Sequence, residues 1–181
     1  MITLFADIIV ALGLGEVTVP FTPLHMGPGL VVKACLQGAF SVMVFGWSQI
    51  LIDIQPLVVL LSGKGELHGF SHTYVGATGI AVVAALTGKY LGEIGLRMIR
   101  FEKYLPINWK VAWISAFIGT YSHVFIDSII HADMKPLAPF SDANVFLGLF
   151  KFDTLHVICL VSAVIGGAGF YLVERFRKRR Q

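Results

Sequence analysis

The chain has 181 residues, 56% of them hydrophobic and only 14% charged, with a mean hydropathy of +0.77. Soluble globular proteins carry about 45–50% apolar and about 25% charged residues, so the composition excludes an ordinary soluble domain. It points instead to an all-α, polytopic integral membrane helical bundle of one domain, and the net charge of +3 sits in clusters flanking apolar runs, as in membrane anchors rather than nucleic-acid surfaces.

In chain order, residues 2–19 are apolar but contain Asp7 and Glu16, which leaves their crossing of the membrane open. No Lys or Arg precedes that run and no A-x-A pattern follows it, so no cleaved signal peptide is expected. The Pro/Gly-rich PFTPLHMGPG then leads into a short helical candidate at 27–38. A spanning helix needs about 20 apolar residues, so this piece reads as a half-helix packed on the rest. Four clear spans follow at 40–62, 70–91, 109–131 and 154–173, giving an expectation of about five membrane helices, four to six. Cys35 and Cys159 lie in apolar segments and read as two buried thiols, with no CxxC motif.

Orientation follows from the basic residues. Lys89, Arg97, Arg100, Lys103 and Lys110 fall in the 88–110 connection, and Arg175, Arg177, Lys178, Arg179 and Arg180 in the C-terminal tail. The positive-inside rule places both segments in the cytoplasm. The loops 62–69 and 132–153 then face the other side of an inner membrane. Tracing the spans brings His25, His68, His72, His123, His131 and His156 to that non-cytoplasmic face. Asp53 and His123 lie deeper, about 14 Å inside their helix ends at 1.5 Å per residue.

The spacing suggests a metal. His68 and His72 are four apart, as are His123 and Asp127, and i, i+4 residues share a helix face. Zinc accepts imidazole and carboxylate together, and a mixed N/O set suits zinc, iron or manganese. With His25 and Asp53 the donors suffice for one or two divalent ions. Ordinary readings compete: an HxxxH at a helix mouth suits interfacial imidazoles bonding water, and an HxxxD suits an Asp orienting a buried His. His25 could cap the following helix, His131 and Asp133 could be solvated helix-end residues, and Asp153 reads as the N-cap of a helix that carries His156. Asp53 is harder to dismiss, because an ionisable group inside a membrane segment costs at least about 2.5 kcal/mol.

The order His25, 52-IDIQP-56, 68-HGFSHT-73 and 122-SHVFIDSIIHADMKPLAPF-140 resembles the YdjM-type family of inner-membrane-associated proteins assigned as metal-dependent hydrolases. The resemblance implies metal or catalytic roles for His25, Asp53, His68, His72, His123 and Asp127. Gln55 stands where that family commonly has a second carboxylate, the HGFSH spacing is one residue shorter, and the Arg that often follows the first His is absent. His131 and Asp133 could stand in for what Gln55 lacks, which makes them, with Asp53, the candidate catalytic groups.

The leading expectation is a membrane hydrolase acting on an ester or phosphoester of a lipid or lipid-linked substrate at the outer interface, with a spare His or Asp as general base. An ion- or proton-coupled transporter, bis-histidine haem ligation by His72 and His123, and a structural membrane protein are the alternatives. The runs on the cytoplasmic half, such as 80-IAVVAALTG-88, offer no relay groups.

Overall fold

The computed structural model describes residues 22–179, so the expectation for 2–19 lies outside the described residues. They form six α-helices and no strand. A 3-10 turn, Thr22–His25, leads into α1 (Met26–Leu36). Next come α2 (Val42–Ile52) and α3 (Ile54–Ser62), then α4 (Tyr74–Met98), α5 (Trp109–Ile130) and α6 (Phe152–Arg179). Four segments are long and apolar enough to cross a membrane: Val42–Ser62, Tyr74–Met98, Trp109–Ile130 and Phe152–Arg179. Their outward faces are oily, with Val83, Leu86 and Ile94 on α4 and Val161, Val164 and Ile165 on α6 exposed. A helix apolar on its outer face needs lipid there, as water would penalise every such residue.

Local chemistry fixes where the helices start. Ser41, Thr73 and Asn108 cap α2, α4 and α5, each side-chain oxygen accepting a backbone N–H three residues on. These contacts satisfy donors that the first helical turn leaves unpaired. The expected span 40–62 is broken at Asp53, which separates α2 from α3. Pro56 explains the break: it has no N–H for the Ile52 carbonyl, and its ring crowds that carbonyl. The expected span 70–91 starts at Tyr74 and runs on to Met98, so Lys89 and Arg97 belong to α4 rather than to a connection. Asp153 sits in the first turn of α6 instead of capping it. Cys35 is exposed, contrary to the expectation of two buried thiols, while Cys159 is buried.

Helices α2, α4 and α5 pack as one group, and α1 lies along α6 as a second. Small residues allow close approach. A Cβ on Gly27 would collide with the Cys159 carbonyl, and one on Gly119 would collide with the Ser48 hydroxyl of α2. An apolar core of Val44, Ala84, Ala85, Leu96, Ile107, Val111, Ala112 and Ala116 fills the half of the α2–α4–α5 group nearer the α4–α5 connection. At that end, Lys103 pairs with Glu174 at 2.7 Å and ties the connection to α6. The opposite half is polar inside.

Candidate metal centre

Four helices and one loop converge on that polar half. His123 and Asp127 come from one face of α5, one turn apart, and both are fully buried. Asp53 enters from the α2–α3 break, which turns its carboxylate towards α5. His123 Nε2 lies 3.1 Å from Asp53 Oδ1 and 3.0 Å from Asp127 Oδ2. His72 Nε2 lies 3.6 Å from each of the same two oxygens. Ligand bonds of about 2.0–2.1 Å around a tetrahedral zinc place neighbouring ligand atoms roughly 3.3–3.4 Å apart. Four of the six edges of this N₂O₂ set therefore bracket the value a tetrahedral ion needs. His25, at the start of α1, brings its Nε2 to 3.5 Å from the other Asp127 oxygen, Oδ1.

The predicted helical pairing of His68 and His72 is not what brings them together. His68 sits in a turn and His72 in a 3-10 turn (Phe70–His72) ahead of α4, with ring centroids 5.1 Å apart. Thr73, as the cap of α4, prevents the helix from reaching back through both. Gln55 shapes this loop instead: its Oε1 accepts from Ser71 N at 2.8 Å and its Nε2 donates to Glu66 O at 3.2 Å. Gln55 is thus a clamp on the loop that carries two imidazoles. His131 follows α5 immediately, and its ring lies 4.2 Å from that of His68. Asp133 is half exposed and bonds His68 Nδ1 at 2.8 Å. His156 stays apart from these contacts, with Nδ1 bonded to the Phe152 carbonyl and its ring on Phe152.

The imidazoles share one pattern. Nδ1 is engaged by Gln49 Oε1 in His123 at 2.6 Å, by Ser71 Oγ in His72 at 2.8 Å, and by Asp133 in His68. In each, Nε2 is buried and makes no hydrogen bond. His131 Nε2, His25 Nδ1 and both Asp127 oxygens are likewise buried without a hydrogen bond. A buried polar atom left so costs about 1–3 kcal/mol. Several converging on one point fit a cation, because a ligating His typically gives its other nitrogen to an outer partner. Burial holds the imidazoles of His25, His72 and His131 below the usual histidine range, which keeps them neutral and able to ligate. Burial opposes ionisation of Asp133 too, but the His68 contact outweighs it and lowers that carboxyl.

Gln49 is the residue the sequence reading missed. Its signal was there: a Gln in an oily helix, four residues before Asp53. Ser71, inside HGFSH, was visible only as a neighbour of His72. The ligand groups fall into overlapping sets of His25–His123–Asp127, Asp53–His72–His123 and His68–Asp127–His131, each with donor atoms within 4.8 Å of one another.

The profile of the YdjM inner membrane protein family matches residues 52–180, a stretch containing every one of these residues except His25 and Gln49. No curated protein and no solved structure matches the chain.

Proposed function

The chain belongs to the YdjM inner membrane protein family, and from that premise we propose that it is a membrane-bound, metal-dependent hydrolase. Its substrate class is an ester or phosphoester of a lipid or lipid-linked molecule. The observation that carries the reading is the set of separations, 3.0–3.6 Å, between the two carboxylate oxygens and the Nε2 atoms of His72 and His123. A divalent cation there, zinc before iron or manganese for this donor set, supplies Lewis acidity and a water of near-neutral pKa.

The chain's own side chains do the rest. Asp53, His72, His123 and Asp127 bind. Gln49 and Ser71 hold His123 and His72 with Nε2 facing inward. His25 lies outside these four ligands, with Nε2 3.5 Å from Asp127 Oδ1, and is the side chain placed to serve as general base. The segments that carry His68, His72 and His131 also expose Phe70, Phe140, Val145 and Leu147. An apolar rim around a polar site suits a substrate held at the bilayer surface. The basic residues at the other end of the bundle support a cytoplasmic C-terminus and a site on the non-cytoplasmic side.

The competing reading is an ion- or proton-coupled carrier. A relay would have to continue through the α2–α4–α5 core, where Val44, Ala84, Ala85 and Ala116 are completely buried and apolar. Metal analysis of the purified protein is the direct test. Stoichiometric metal in wild type, lost in His72→Ala and Asp127→Ala, is the expected result. Its absence from wild type, both as isolated and after zinc reconstitution, sinks the hydrolase reading, and metal-independent flux in liposomes would favour the carrier.

A further inference from the structure

An ion held by Asp53, His72, His123 and Asp127 would use one oxygen of Asp127. Oδ2 lies 3.6 Å from His72 Nε2 and 3.0 Å from His123 Nε2, while Oδ1 lies 3.5 Å from His25 Nε2, and both oxygens are buried without a hydrogen bond. His68 and His131 lie close by, and the donor atoms of His68, Asp127 and His131 come within 4.8 Å of one another. Both imidazoles are more than nine-tenths buried, and each keeps an Nε2 with no hydrogen-bond partner. Their rings are tilted by only 30° at a centroid distance of 4.2 Å. Two imidazoles whose buried Nε2 atoms make no hydrogen bond, beside the buried Asp127 carboxylate, make a built donor set, distinct from the first except for Asp127.

We infer that this chain holds a second divalent transition-metal ion between His68, His131 and Asp127, with Asp127 bridging the two ions. Asp133 is its positioning residue: the 2.8 Å contact to His68 Nδ1 leaves Nε2 as the ligating atom, as a carboxylate behind a metal-bound histidine does. Gln55, whose amide bonds Glu66 O and Ser71 N, is occupied in clamping the loop and belongs to neither donor set. Paired ions of this kind clamp both the attacking and the leaving oxygen of a displacement. The inference rests on the hydrolase reading for the first ion only.

The experiment uses full-length protein in detergent, stripped with chelator and titrated with zinc alone, then with manganese alone, and read by elemental analysis and electron paramagnetic resonance. Wild type is expected to bind two ions per chain. At two manganese equivalents the isolated-ion six-line signal gives way to an exchange-coupled one. His131→Gln is expected to bind one ion and keep the six-line signal, and Asp133→Asn to weaken the second ion by about 10–100-fold. One ion per chain in wild type, unchanged in His131→Gln, overturns the second site and leaves the first intact. No ion in wild type overturns both. Because the wild-type count needs no substitution, a variant that fails to fold does not spare the inference.

Discussion

Gln49 of α2 and His123 of α5 meet at 2.6 Å, and the direction of that contact is fixed from behind. Gln49 Nε2 donates to the Gly119 carbonyl at 2.9 Å, so its Oε1 faces His123 and must accept from Nδ1–H. Nδ1 is therefore committed to Gln49, and Nε2 is the ring atom left facing Asp53 and Asp127. Replacing Gln49 with Leu removes the acceptor and releases the ring. Zinc affinity, measured by competition with a chromogenic chelator, should fall about 10–100-fold, while Gln49→Glu, which still accepts, should lose less.

Gln55 and Asp127 differ sharply in kind. Gln55→Ala should leave at least one ion bound but loosen the 63–73 loop, seen as a lower Tm and faster proteolysis near Glu66. Two hydrogen bonds are lost, each worth about 0.5–1.5 kcal/mol. Asp127→Asn should abolish metal binding outright. Equal metal loss in both variants would contradict the scaffold role given to Gln55.

His25 lies beside Asp127 but outside the four-ligand set. His25→Gln should keep the first ion and slow turnover of a lipid phosphoester by about 10²–10⁴-fold, the usual contribution of a general base. Loss of metal in this variant would make His25 a ligand rather than a base.

Gly119 faces Ser48 Oγ across the α2–α5 contact, where an added Cβ has no room. Gly119→Ala should cost about 1–3 kcal/mol through overpacking and weaken metal binding at the same time, because the same contact carries Gln49. Thermal unfolding and metal titration of one sample check both effects.

Metal removal should destabilise the whole bundle. The converging imidazole and carboxylate atoms of His72, His123 and Asp127 are buried without a hydrogen bond, and a cation bound among them satisfies them together. Zinc at about 1,000 times its Kd should stabilise the fold by about 4.1 kcal/mol, raising Tm in wild type but not in Asp127→Asn.

Much of this was legible along the chain. Runs of about 20 apolar residues located the spans, and tracing them end to end brought His25, His68, His72, His123, His131 and His156 to one face, where His156 turns out to bond and stack on Phe152 instead of joining the cluster. The pairing of His123 with Asp127 followed from helical periodicity alone, since both lie on α5. The same periodicity failed for His68 and His72, because Thr73 caps α4 and leaves both outside the helix. The break at Asp53 was signalled by Pro56, yet its consequence depended on where α5 lies.

The sequence by itself determined a membrane bundle with a polar end rich in imidazoles and carboxylates, because composition and period are properties of neighbouring residues. Only the tertiary structure decided which atoms face one another. It turned Gln49 onto His123 and engaged Gln55 with Glu66 and Ser71. It also set Asp127 with one oxygen towards His72 and His123 and the other towards His25. Those choices are made between helices, where a donor's direction depends on the packing of two elements and not on either one alone.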